Sequence, residues 1–145
     1  MIRLFNDTNF EYVESEDSLT IFNDCISTLK SIKDKSVDLI FADPPYNLGK
    51  DFGNESDSWE NKNEYLNWCY RWIDECFRVL KDNGTFYLMN STQNMPYISM
   101  IINDIVWVYD SSGVQSKKKY GSLYEPILMA AKSDKTKYTF NHEDI

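Results

Sequence analysis

The run Val37-Asp38-Leu39-Ile40-Phe41-Ala42, stopped by Asp43-Pro44-Pro45-Tyr46, constrains this chain more than any other feature. A nearly continuous apolar stretch of this length suits a central parallel strand buried on both faces. Two consecutive prolines then remove backbone donors and forbid further ladder pairing, so the strand has to end at Asp43. In open α/β sheets, ligands bind beyond the carboxyl ends of the strands. The same four residues therefore mark a strand end and a candidate site.

The flanking pattern alternates between strand and helix. Leu19–Phe22 reads as a short strand, and Asn23-Asp24 can cap a helix over 25–32. A polar loop spans 47–60. Tyr65, Leu66, Cys69, Trp72, Ile73, Cys76, Phe77 and Leu80 then follow the three-four spacing of a helix over 62–80. Gly84 in Asp82-Asn83-Gly84 suits a left-handed helix cap. Further strands are predicted at 85–89, 105–109 and 127–132, with a helix from about Asn94, a long loop over 111–125 and a hairpin start at 138–140. Residues 1–17 are polar and acidic and read as an arm before a domain over 18–145. The order of elements predicts an α/β fold with a mostly parallel sheet.

Composition removes several function classes. No apolar run approaches the length of a membrane span and the start is acidic, so the expectation is a cytoplasmic protein without membrane partners. The three cysteines (Cys25, Cys69 and Cys76) form no C-x-x-C pair and are expected as buried thiols, not a zinc site. The single histidine, His142, lies near the end of the chain and argues against His-based nucleophilic catalysis. The net charge of −8 fits poorly with gripping phosphates. It is unevenly spread: residues 1–110 carry a net −10 and residues 111–145 a net +2, headed by Lys117, Lys118 and Lys119. Those three lysines either contact nucleic-acid phosphates or form a solvated loop run.

Asp43 offers a carboxylate, and Pro44 beside it retains a backbone carbonyl. Two acceptors stiffened by prolines can take both protons of an exocyclic amine, whose lone pair is otherwise delocalised into its ring. Tyr46 adds an aromatic face on which an extruded base could stack, worth roughly 1–3 kcal/mol. Ser91, Gln93 and Asn94, after the next strand, read as helix-capping residues or as contacts to base or backbone. Trp59, Trp68, Trp72 and Trp107 read as core, with Trp59 open because it sits in the polar loop.

VDLIFADPPYN resembles the catalytic motif of the exocyclic-amino DNA methyltransferases, which use S-adenosylmethionine. Its leading Asp resembles the adenine-N6 enzymes; the cytosine-N4 enzymes more often begin with Ser. SLTIFNDCISTLKSI resembles the strand-turn-helix that precedes the motif in the permuted β-group, with Asn23 where Gly is usual. RVLKDNGTFYLMNSTQNMPY, VWVYDSSGVQSKKKYGSLYEPILMAAK and YTFN resemble its later blocks, so the likeness runs over about 18–141.

The resemblance implies a Rossmann-like methyltransferase fold that is incomplete in this chain. It implies methylation of adenine N6 in double-stranded DNA, S-adenosylmethionine as co-substrate and no metal. Asp43, Pro44, Pro45 and Tyr46 would be catalytic. Asp24 would contact the adenosyl part of the cofactor, unless it serves only as a helix cap, and Asp43 would also face the cofactor. Two departures stand out. The Gly-rich D-P-F-x-G-S-G-T type of loop is missing, since none of the five glycines forms a G-x-G. Residues 95–104 are also short for the usual helix, turn and strand, which points to residues absent between about Met100 and Ile105, by deletion or otherwise. The 145 residues are therefore expected to bind the cofactor weakly or not at all when alone. Rival readings are methylation of cytosine N4 or an RNA amine, a half-domain pairing with a separate cofactor-binding subunit or with itself, and an inactive remnant.

Overall fold

The computed structural model describes residues 2–50, 57–105 and 126–132. After a short 3-10 turn at Ile2–Leu4, β1 (Glu11–Glu14) pairs antiparallel with β2 (Leu19–Phe22), Glu11 facing Phe22 and Glu14 facing Leu19. Ser15 N–H donates to the Ser18 carbonyl at 2.8 Å and closes the turn. The stretch expected as an arm thus carries a strand, and a boundary between residues 17 and 18 cuts a hairpin. All four β1 residues are exposed, so its polar sequence reflects a solvated hairpin strand.

Helix α1 (Cys25–Ser31) starts at Asp24 and ends under an arginine from elsewhere. The Arg78 guanidinium donates to the carbonyls of Leu29 at 2.7 Å and Ile32 at 3.0 Å, the end groups a helix leaves unpaired. Ion pairs to Glu75, at 2.7 Å, and to Asp34 hold the guanidinium in that position.

The second sheet has the order β3-β4-β5, with β3 at Val37–Ala42, β4 at Leu80–Met89 and β5 at Ile127–Ala131. β3 runs parallel to β4, and β5 runs antiparallel to it. Among the described residues the sheet is therefore mixed, not mostly parallel, and β4 is its centre, not β3. Helices α2 (Lys62–Val79) and α3 (Met95–Ile105) cover one face, where Ile40, Ala42, Phe86, Leu88, Leu128 and Ala130 meet Trp72, Phe77, Ile98 and Ile102. On the other face Leu39 and Phe41 are 57% and 56% exposed, so β3 is not buried on both sides as expected.

Asn61 caps α2 reciprocally: its side chain accepts from Glu64 N–H and donates to the Glu64 carboxylate, both at 3.0 Å. Cys69 and Cys76 lie buried on the inner face of α2 as free thiols, pushed up to about 12 by burial, whereas Cys25 is exposed. Gly84 has a different role from the expected left-handed cap, because α2 passes through Leu80 straight into extended β4. A Cβ on Gly84 would lie 2.9 Å from the Asp38 carbonyl and 2.7 Å from the Leu80 side chain. The glycine permits close approach of β3 and β4 where their register shifts, between Val37 and Leu39.

Helix α3 runs unbroken through 95–105, so Ile105 is helical and does not start a strand. The rest of the predicted strand at 105–109, the loop 111–125, the hairpin at 138–140, Trp107 and His142 lie outside the described residues. No described helix is long and apolar enough to cross a membrane.

Candidate active site

The carboxyl end of β3 delivers Asp43-Pro44-Pro45-Tyr46 into a cleft of about 320 Å³, which Leu48, Lys50 and Asp57 also line. This size is at the low end of small-molecule pockets, about 300–1,000 Å³, and fits one planar base. Asp43 is exposed at its mouth, while Pro44, Pro45 and Tyr46 are half-buried. The Tyr46 hydroxyl donates to Asp43 Oδ1 at 2.7 Å, so the expected aromatic platform is folded over the expected acceptor.

The backbone of the turn is held from behind by α2 and by the segment joining β4 to α3. Tyr65 on α2 is fully buried, and its hydroxyl donates to the Pro45 carbonyl at 3.0 Å. Burial raises the Tyr65 hydroxyl above the ordinary tyrosine value, so it remains protonated and able to donate. Asn90, at the end of β4, is itself fully buried and donates through Nδ2 to that hydroxyl oxygen at 2.9 Å. Asn94 Nδ2 donates to the Tyr46 carbonyl at 2.6 Å. No described residue donates to the Pro44 carbonyl. The Tyr46 hydroxyl thus occupies Asp43 Oδ1, no described donor occupies the Pro44 carbonyl, and the next two carbonyls are tied into the fold.

Downstream, Asp57 is 1% exposed and accepts three backbone N–H groups: Asn47 at 2.6 Å, Leu48 at 3.1 Å and Lys50 at 3.0 Å. Gly49 N–H returns a bond to the Asp57 carbonyl at 3.0 Å, and Asn47 Oδ1 accepts Trp59 N–H at 3.1 Å. Asn47 and Gly49 have φ of 55° and 68°, the left-handed region that lets successive N–H groups converge on one anion.

The other expected residues fall differently. Asp24 does not line the cleft; it caps α1, its Oδ1 accepting Ser27 N–H at 2.9 Å and Ser27 Oγ–H at 2.8 Å. The Ser27 backbone N–H beside it holds this carboxyl below the ordinary carboxylate range. Asn94 does more than cap, because its side chain bonds the Asp43–Tyr46 turn while its carbonyl accepts from Tyr97 and Ile98. Trp59 packs on Tyr65 and Trp68 with ring centroids 5.0 and 4.9 Å apart, which places it with the core. Lys117, Lys118 and Lys119 lie outside the described residues. Among the described residues no cluster of three or more His, Cys, Asp or Glu could hold a metal ion.

Sequence reasoning missed Asp57, Asn90 and the polar role of Tyr65. Tyr65 carried a weak signal, since a tyrosine on a buried helical stripe needs a partner for its hydroxyl. Asn90 carried a similar one, as an amide directly after a buried strand. Asp57, in a loop rich in acidic residues, carried none.

Comparison with known proteins identifies the family. Residues 37–145 match the family described as DNA methylase. The chain is 50% identical over 138 residues to the DNA adenine methyltransferase YhdJ of Escherichia coli (strain K12), covering 90% of this chain and 46% of that protein. It is 38% identical over 138 residues to the type II methyltransferase M.HpaI of Haemophilus parainfluenzae, covering 89% of this chain and 43% of that enzyme. With the type II methyltransferase M.HinfI of Haemophilus influenzae it shares 34% identity over 146 residues, 83% of this chain and 40% of that enzyme. The chain thus spans less than half the length of these curated relatives. On the family match and on the turn that ends β3, the chain belongs to the DNA methylase family.

Proposed function

We propose that the protein to which these residues belong transfers a methyl group from S-adenosylmethionine to the exocyclic N6 of adenine in double-stranded DNA. Asp43, Pro44, Pro45 and Tyr46 form the acceptor site of a Rossmann-like domain. One observation carries this reading: Asp43 and Pro44 line a base-sized cleft, and no described residue donates to the Pro44 carbonyl, while Tyr65 and Asn94 occupy the next two carbonyls. YhdJ, the relative at 50% identity, is named a DNA adenine methyltransferase.

The adenine leaves the duplex stack and enters the cleft, where its amine donates one N–H to Asp43 and the other to the Pro44 carbonyl. The Tyr46 hydroxyl gives up Asp43 Oδ1 as the amine arrives, which exchanges one hydrogen bond for another. Its ring is then available to stack on the base. Two acceptors at the amine favour a pyramidal nitrogen, and the Asp43 charge stabilises the positive charge that develops there during transfer. Asp43 and Asp24 would hold S-adenosylmethionine, with Asp24 at its adenosyl part. When bound, that group supplies an electrophilic methyl carbon. Lys117, Lys118 and Lys119 would contact DNA phosphates, which carry affinity but no sequence information.

The exposed apolar face of the second sheet, with Leu39, Phe41 and Ile127, favours a second reading. In it this chain is a half-domain that works with a separate cofactor-binding subunit or a second copy. The test of both is labelled S-adenosylmethionine and unmethylated DNA, with these 145 residues and with the product of the full reading frame, followed by digestion to nucleosides. Label in N6-methyladenine with the longer product, lost in Asp43→Ala, supports the first reading. No methyladenine from either, where a known enzyme makes it, leaves the half-domain reading.

A further inference from the structure

Asp57 lies outside the catalytic turn, yet it holds the four residues that directly follow it, Asn47 to Lys50. The peptide between Tyr46 and Asn47 is gripped at both ends: its carbonyl by Asn94 Nδ2 and its N–H by Asp57 Oδ1, each at 2.6 Å. The preceding carbonyl, of Pro45, is held by Tyr65. Two fixed peptides in succession leave little backbone freedom at Tyr46, so its ring can sample only its own side-chain rotations. Asp57 Oδ2 also fixes Leu48 and Lys50, which line the same cleft. The loop geometry is one that normally cradles an external anion, and here a buried carboxylate of the chain fills it. A carboxylate so enclosed loses its hydration, and three N–H donors replace it. Such a costly arrangement on a surface loop calls for a purpose beyond joining β3 to α2.

We infer that Asp57 is a positioning residue for Tyr46: it orients the aromatic face against which the extruded base is held, and so sets how often that base sits in a reactive pose. The inference rests on the base-holding role proposed for Tyr46 above. Asparagine at position 57 keeps one oxygen for Asn47 but turns an NH2 group toward the N–H groups of Leu48 and Lys50, which frees the loop. Misplacing a reacting group by about 1 Å costs on the order of 10²-fold in rate.

The experiment uses the full-length protein and its Asp57→Asn variant. It measures single-turnover methyl transfer, cofactor affinity, and transfer to a duplex carrying a mismatch opposite the target adenine. The expected result is transfer slowed by about 10²-fold with cofactor affinity within about twofold of wild type. The mismatch, which lowers the cost of extrusion, should recover at least about tenfold of the loss. A variant within about threefold of wild type, a parallel fall in cofactor affinity, or no gain from the mismatch would overturn the inference. If Asp57→Asn does not fold, Asn94→Ala, which releases the carbonyl end of the same peptide, should show the same pattern; its absence there counts equally against the idea. A wild-type protein that makes no methyladenine removes the underlying function, whereas an active wild type with an equally active Asp57→Asn removes only the role of Asp57.

Discussion

Replacing Tyr65 by Phe deletes one oxygen and isolates the polar frame behind the Asp43–Tyr46 turn. That oxygen donates to the Pro45 carbonyl and accepts from Asn90 Nδ2. The two orphaned partners are not equivalent. Pro45 is half-buried, so water can reach its carbonyl, whereas Asn90 is fully buried and its Nδ2 has no other described acceptor. Leaving one buried donor unpaired costs about 1–3 kcal/mol, and the carbonyl adds little. The ring is retained, so the packing of Tyr65 on Trp59 and Trp68 is preserved and no cavity term enters. Urea unfolding of the full-length protein should show a lowered midpoint with unchanged slope, corresponding to about 1–3 kcal/mol. The cost in Asn90→Ala should overlap with it, giving a coupling of about 1 kcal/mol in the double mutant cycle. A loss below about 0.5 kcal/mol, or strict additivity with Asn90→Ala, would refute the claim that these groups form one frame.

Gly84→Ala should destabilise by about 1–3 kcal/mol in thermal or urea unfolding, because its Cβ meets a backbone carbonyl that cannot step aside. Asp24→Ala should cost about 1 kcal/mol near neutral pH through loss of the cap, and Asp24→Ser much less. Because the Asp24 carboxyl is held below its ordinary value of 3.8, its contribution is present above that value and fades as pH falls through the lower folded value; the cost of Asp24→Ala should shrink in acid unfolding. A fall in cofactor affinity in Asp24→Ser, where the cap survives, would locate the carboxylate at the adenosyl group. In the native protein, Cys25 should react with a thiol reagent well before Cys69 and Cys76, which burial keeps protonated up to about 12; rapid reaction of all three would contradict the packing of α2.

The parts of this site legible in the sequence are those written locally. A strand end, two prolines, a carboxylate and an aromatic residue occupy consecutive positions, and their geometry follows from backbone chemistry alone. Helix α2 was legible for a related reason, since its apolar stripe repeats with the helical period. The supporting frame has neither property. Tyr65 meets Pro45 across 20 positions and Asn94 meets Tyr46 across 48, and no periodic trace links them. Gly84 was misread because a glycine after a helical pattern signals a cap by default, while the actual reason lies across the ladder at Asp38.

The misreading of β3 has a different physical origin. A strand with one face in water normally alternates, because leaving an apolar side chain exposed forfeits about 25 cal/mol per Å² of burial. β3 does not alternate: Ile40 and Ala42 face the helices, and Leu39 and Phe41 face away. Across the ladder the outward face continues through Tyr87 beside Phe41 and Met129 beside Tyr87, so the apolar surface is contiguous and not a lone exposed residue. Such a face is a poor end state in water. The both-sided pattern read from the sequence therefore describes an environment larger than the described residues supply. It is this discrepancy, together with relatives more than twice as long, that makes the half-domain reading worth testing beside the catalytic one. Polar substitution of Leu39 and Phe41 should leave the core between α2, α3 and the sheet intact, since neither side chain is part of it. If those variants keep their stability yet lose methyl transfer, the outward face serves assembly of the active enzyme.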